Sequence, residues 1–155
     1  MNGWIEFKVR VRERLRIFAL DILKLSELLP DTKRGNVINY QVTKSGTSSY
    51  ANYRAAMRAR SKAEFYSKLC IVVEEVDETE MWLELIITSD ILNNDLTQKL
   101  HCESLELLKI LASMRKNISK THSPDSLQSP QPSQSPQPSQ SLQSPQSPQP
   151  LQSNN

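Results

Sequence analysis

From Phe7 onward, apolar side chains fall at Phe7, Val11, Leu15, Phe18, Ile22, Leu25 and Leu29, steps of three and four that line one face of a helix. Pro30 stops the pattern, because proline lacks the backbone donor a further turn needs. Two stretches inside this segment, Lys8-Val9-Arg10-Val11-Arg12 and Arg14-Leu15-Arg16-Ile17, also alternate as a half-buried strand would. Length decides for the helix, since the period holds for about 22 residues, far beyond a typical strand of ~5 to 6.

A short connection from Pro30 to Asn36, with Gly35 inside it, turns the chain back. The second segment runs from about Asn36 to Ala59, and its middle, Lys44 to Ser49, has poor helix propensity; Gly46 alone costs roughly 1 kcal/mol relative to Ala. Taken in isolation it reads as a loop. The alternative is a helix whose small face, Ser45, Gly46, Ser49, Ala51, Asn52, Ala55 and Ala56, packs unusually close to a neighbour.

Ser61-Lys62-Ala63-Glu64 is a capping box, with the Ser61 hydroxyl accepting from the Glu64 amide and the Glu64 carboxylate returning to the Ser61 amide. The third helix starts there, with Phe65, Leu69, Val72, Val76, Thr79, Leu83 and Ile86 inward, and reaches about Asp90. Asn93-Asn94-Asp95 interrupts. Asp95 followed by Gln98 caps a fourth helix that turns Leu96, Leu100, Leu107, Leu108, Leu111, Met114 and Ile118 inward. Four amphipathic helices with short connections predict an all-α, antiparallel up-down four-helix bundle over residues 1–120.

Composition sets the boundary of that bundle. Residues 121–155 hold eight of the nine prolines, one charge (Asp125) and only Leu127, Leu142 and Leu151 as apolar side chains. Such a Ser/Pro/Gln-rich segment cannot build a core and is expected to be a disordered tail with local polyproline II character. No basic n-region leads into an apolar run at the N-terminus, and no apolar stretch approaches the roughly 20 residues of a membrane span, so a cytoplasmic protein without membrane contact is expected. Cys70 and Cys102 sit within apolar periodic segments and read as buried, reduced thiols.

Charge adds two features. Basic residues concentrate at Lys8, Arg10, Arg12, Arg14 and Arg16, and again at Arg54, Arg58, Arg60 and Lys62. In a monomer they read first as solvated helix surface, whereas in an oligomer each patch repeats into a multivalent positive surface for phosphate backbones. The second feature is a line beside the core stripe of helix three, Glu64, Lys68, Ile71, Glu75, Glu78, Trp82 and Leu85. Folding helix two back on helix three sets Arg58 beside Glu64 and Asn52 near Cys70, so Asn52, Glu64, Lys68, Glu75 and Glu78 are expected to form a structural polar network, with Arg54 and Arg58 as further candidate partners.

Catalysis is not indicated. Dimetal bundles use Glu-x-x-His motifs twice, and neither His101 nor His122 stands three residues after a Glu. Only Gly3, Gly35 and Gly46 are present, so phosphate loops are absent, and no Ser/His/Asp or Cys/His set assembles. No enzyme, metal or cofactor is expected. His101 reads as a helix-surface or boundary residue, and Trp4 and Trp82 as core or interface residues instead of stacking platforms.

The stretch Gln41-Val42-Thr43-Lys44-Ser45-Gly46-Thr47-Ser48-Ser49-Tyr50-Ala51-Asn52-Tyr53-Arg54-Ala55-Ala56 has a familiar pattern, as do Arg58-Ala59-Arg60-Ser61-Lys62-Ala63-Glu64-Phe65, Lys68-Leu69, Glu74-Glu75, Asp77-Glu78-Thr79 and Trp82-Leu83-Glu84-Leu85. Together they resemble the bacterial four-helix-bundle proteins encoded in intervening sequences of large-subunit ribosomal RNA genes, which are similar to the accessory variability proteins of diversity-generating retroelements. The likeness spans roughly residues 5–118 and favours helix over loop at Ser45 to Ser49. It implies a homopentameric ring with basic surfaces toward nucleic acid, and in the retroelement setting a reverse-transcriptase partner; it supplies no catalytic role for any residue. The tail departs from the family pattern. The expectation is therefore a non-enzymatic, homo-oligomeric scaffold that binds RNA or DNA without sequence specificity through Arg10, Arg12, Arg14, Arg16, Arg54, Arg58, Arg60 and Lys62. A protein-binding adaptor is the alternative.

Overall fold

All four periodic segments are helical in a computed structural model, which describes residues 3–120. The helices are α1 (Gly3–Leu28), α2 (Lys33–Ala56), α3 (Lys62–Thr88) and α4 (Asp95–Lys120), and no strand occurs among the described residues. The expectation for the Ser/Pro/Gln segment 121–155 lies outside them.

Polar ties between helices fix the direction of each. Tyr53 near the end of α2 reaches the Lys8 carbonyl near the start of α1, while Asn39 early in α2 reaches the Ser26 carbonyl late in α1. Ser45 of α2 meets Thr79 of α3, Glu80 of α3 meets His101 of α4, and Asp21 and Arg14 of α1 meet Lys99 and Glu103 of α4. Every neighbouring pair is antiparallel, in the cyclic order α1, α2, α3, α4, and the backbones of diagonal pairs stay apart. The α2–α3 seam is the most extensive and the α1–α4 seam the least.

The core follows the sequence pattern closely. Val11, Leu15, Phe18, Ile22, Leu25, Leu69, Val72, Val76, Leu83, Ile86, Leu100, Leu107, Leu111 and Met114 are buried, with Phe7, Phe65, Leu96, Leu108 and Ile118 packed partly against them. On α2 the closely packed small face is real: Ser45, Gly46, Ser49 and Ala56 are buried, and a Cβ on Gly46 would stand 2.9 Å from Ile22 Cγ1 and 3.3 Å from its Cβ. Helix approach to α1 at this point leaves room for hydrogen only. Ala51, expected on the same face, instead points to solvent. Buried Ser45 and Thr79 lie 2.9 Å apart, and their hydroxyl protons are shared between each other and the carbonyls of Gln41 and Glu75.

Helix ends differ from the expectation in detail. α2 begins three residues before Asn36, because Thr32 is its N-cap and accepts from the Gly35 amide at 3.0 Å. Gly35 is thus in the first turn of the helix, where an added Cβ would fall 2.0 Å from the Pro30 carbonyl oxygen. Ser61 caps α3 as expected, but the Glu64 carboxylate returns to the Arg60 amide, not to that of Ser61. At the other end of α3, Asp90 adopts φ 53° and the Ile91 amide reaches back to the Ile86 carbonyl, a Schellman closure with aspartate where glycine is usual. Asn94, one residue before Asp95, caps α4 by accepting from the Thr97 amide at 2.9 Å.

Two further expectations are corrected. Cys70 is half-buried and Cys102 exposed, since Cys102 falls beside the apolar stripe of α4 and not within it; both are free thiols. α1 also carries a second, outward set of apolar side chains, Ile5, Val9, Ile17, Leu20, Leu23 and Leu28, each exposed. Among the described residues, no helix is long and apolar enough to cross a membrane.

Candidate nucleic-acid interface

Antiparallel packing sorts charge in a way that the linear sequence conceals. The first halves of α1 and α3 and the second halves of α2 and α4 share one end of the bundle, together with the α2–α3 connection. Segments 3–15, 45–75 and 108–119 there carry 12 Lys and Arg against 5 Asp and Glu, whereas segments 16–44 and 76–107 at the opposite end carry 6 against 11. The bundle is polarised along its axis.

Among the eight basic residues expected to bind, geometry separates two kinds of arginine. Arg14 turns toward α4, where its Nε lies 2.8 Å from Glu103 Oε1 and its terminal nitrogen 2.7 Å from both Glu103 and Glu106. The Glu103 contact is the main reason that its guanidinium holds its proton more tightly than usual. Arg16 is paired along its own helix with Glu13, whose carboxyl is pulled below its ordinary range by that bond. Both charges are matched by carboxylates. Arg10, Arg12, Arg54, Arg58, Arg60 and Lys62 form no salt bridge with any carboxylate among the described residues. The Arg54 guanidinium stands 5.7 Å from the Tyr50 ring centroid, an arrangement that leaves its charge uncompensated by acid. Half-buried Arg12 lies close enough to Tyr53 to act on the phenol, whose pKa burial nevertheless holds above its ordinary range. Six of the eight expected residues therefore form a field of unneutralised charge, and two do not belong to it.

Lys8, in the first basic run but outside the expected binding set, joins them, as do Arg115 and Lys116 of α4, which the sequence reading left out; none has a carboxylate partner among the described residues. A count of charge by helix half, once the helices were taken as antiparallel, would have found α4's contribution.

The acidic line of α3 behaves differently from the expectation. Its members make separate local bonds and no joined network: Asn52 donates to the Ser48 carbonyl and hydroxyl, Glu64 closes the α3 cap, and Glu78 accepts from the Trp82 indole at 3.1 Å. The side chains of Lys68 and Glu75 make no hydrogen bond or ion pair among the described residues, and Arg58 does not pair with Glu64. The line lies at the edge of the α2–α3 seam, where water serves these groups at less cost than mutual pairing. His101, by contrast, is tied to Glu80 at 2.8 Å across the α3–α4 seam. No three His, Cys, Asp or Glu side chains among the described residues are grouped to hold a metal ion.

Fold and charge together define a four-helix bundle protein with one basic end. The chain belongs to the family of 23S rRNA-intervening sequence proteins, whose family model matches residues 8–113. It is similar to a crystal structure of a protein with unknown function from the S23 ribosomal protein family of Bacteroides thetaiotaomicron, at 36% identity and a TM-score of 0.64 over 68% of this chain and 98% of that one. No curated protein matches it.

Proposed function

We propose that the protein is a non-enzymatic, homo-oligomeric scaffold of the cytoplasm that binds RNA or DNA by its phosphate backbone, without reading sequence. The observation that carries this reading is the set of six cations, Arg10, Arg12, Arg54, Arg58, Arg60 and Lys62, at one end of the bundle with no carboxylate partner among the described residues. Backbone recognition needs charge in excess, and a neutralised arginine contributes little to it. Self-assembly is supported by the outward apolar face of α1, a surface that a monomer gains nothing by exposing. A pentameric ring and a reverse-transcriptase partner are what the family resemblance adds. That same apolar face favours the second reading, a protein-binding adaptor with no nucleic-acid role.

Salt dependence and one charge-reversed variant separate the two. With about four phosphate contacts per bound segment, affinity for mixed-sequence RNA or DNA falls roughly 100-fold between about 50 and 200 mM salt. Replacing Arg12, Arg54 and Arg58 with Glu abolishes the binding, while Arg16→Gln leaves it within about twofold, because Arg16 is already paired. Light scattering on the same sample gives the oligomeric state. Binding that ignores salt and the triple reversal favours the adaptor.

A further inference from the structure

The basic end contains a cavity of about 670 Å³ where the start of α1, the α2–α3 connection and the last turns of α4 meet. Its size lies within the roughly 300 to 1,000 Å³ of pockets that enclose small ligands. Its walls are of two kinds. Trp4, Met57 and Phe65 supply ring and thioether surface, and Lys8, Arg60 and Lys62 supply three positive charges; no acidic residue lines it among the described residues. The Lys8 ammonium stands 5.8 Å from the Trp4 ring centroid and 5.4 Å from that of Phe65, so a cation is held against two aromatic rings and makes no salt bridge among the described residues. Trp4 stacks on Phe7 at 5.8 Å with the rings 23° apart, which orients the indole, and is 40% exposed.

These walls describe a ligand that is flat and apolar over part of its surface and anionic beside it. A metal ion is excluded by the cations, and an acidic peptide would leave the rings without a partner. The Ser61 hydroxyl already takes the Glu64 amide at the start of α3, and the full positive charges in the wall come from side chains. We propose that this cavity is a pocket for one unpaired nucleotide of single-stranded RNA or DNA, with the base against Trp4 and Phe65 and its phosphate held by Lys8, Arg60 and Lys62. Asn117, also in the wall, has an amide that bonds equally to the donor or acceptor edge of any base. Stacking on an aromatic face is open to every base, so the pocket selects strandedness and not sequence. In a duplex the base faces are already covered by their neighbours. The inference rests on the nucleic-acid reading above and gives it a preference that phosphate contacts alone do not supply.

The test uses the full chain with Trp82→Phe, which leaves Trp4 as the single indole. Mixed-sequence single strands of about 12 nucleotides, and the matching duplex, are titrated at about 50 mM salt while Trp4 fluorescence and total binding are followed. Single strands quench Trp4 and the duplex does not. Trp4→Ala weakens single-strand binding about tenfold and duplex binding by less than about twofold; Lys62→Ala, at an exposed site, weakens both. Circular dichroism confirms that the variants keep their helices, and the quenching itself requires no substitution in the pocket. If the chain binds nucleic acid but Trp4 is silent and Trp4→Ala is neutral, the pocket assignment falls while the scaffold reading stands. Equal quenching by duplex overturns the single-strand preference. No binding of either form at low salt removes the scaffold reading and the pocket with it.

Discussion

The seams that α1 makes with its two neighbours are built on opposite plans. Against α2 it meets glycine and small side chains: Ile22 fills the space over Gly46, and the face continues through Ser45 to Thr79 on α3. Against α4 the contact is sparse and carried by long charged side chains, Arg14 to Glu103 and Glu106, and Asp21 to Lys99. Close backbone approach makes the first seam intolerant of added volume and indifferent to pH or salt. The second tolerates changes in size and responds to the solution. Steric fit concentrates its energy at a few positions, whereas ion pairs spread modest energies over several partners.

Gly46→Leu puts the contrast under the greatest load. Its branched side chain must displace Ile22 near the root, where Cβ gives little freedom, and a loss of about 3 kcal/mol is expected even though leucine is the better helix former. Urea unfolding measures it, and adding Ile22→Ala recovers most of the loss if the clash is its cause. A tolerated Gly46→Leu would mean that α1 and α2 do not pack as closely as described.

Next in size is Thr79→Val, which keeps volume but removes one of two hydroxyls from a buried site. Ser45 still has the Gln41 carbonyl, so the expected cost is about 1 to 2 kcal/mol, below that of Gly46→Leu. Combined with Ser45→Ala, the second loss is smaller than Ser45→Ala alone, since the shared bond is already gone. Strict additivity would show that the two hydroxyls act separately.

The smallest effect belongs to the α1–α4 seam and appears only with acid. The bond from Lys24 chiefly, then that from Lys99, depresses the pKa of Asp21 below its ordinary value against the opposing effect of burial. A depressed carboxyl stabilises the fold above its unfolded pKa of about 4 and loses that contribution as pH falls through the folded value. Asp21→Asn is therefore expected to lower stability at neutral pH by about 1 kcal/mol and to flatten the acid limb of the unfolding curve, with Gly46→Leu leaving that limb unchanged. An unaltered acid limb would show that Asp21 does not link this seam to pH.

Reading from sequence succeeded where periodicity carries the information. The core stripes of α1, α3 and α4 follow from spacing alone and Ser61 announces the start of α3, whereas the continuity of α2 through Ser45 to Ser49 rested on the family resemblance. Caps that depend on a single side chain were harder, as Thr32 and Asn94 show, because neighbouring polar residues are equally plausible until the backbone direction is known. The charge field was half visible. Local runs exposed Arg10 to Arg16, and Glu13 three residues away neutralises Arg16, but the neutralisation of Arg14 depends on α4, whose Glu103 is 89 positions away. The polar line of α3 failed for the converse reason: helical spacing places groups on one face and cannot say whether they bond to each other or to water.

Polarisation of the bundle also has a kinetic consequence. Helices of about 26 residues are ~39 Å long, so the centres of the basic and acidic halves lie about 20 Å apart. Such a molecule has a large electric dipole moment along its axis, and a polyanion exerts a torque on it. Physiological salt confines that torque to approaches within about 8 Å. If nucleic acid is the partner, as proposed, the bundle would rotate over that last distance so that Arg12, Arg54 and Arg58 lead, and an encounter begun broadside or tail-first would become a productive one before contact.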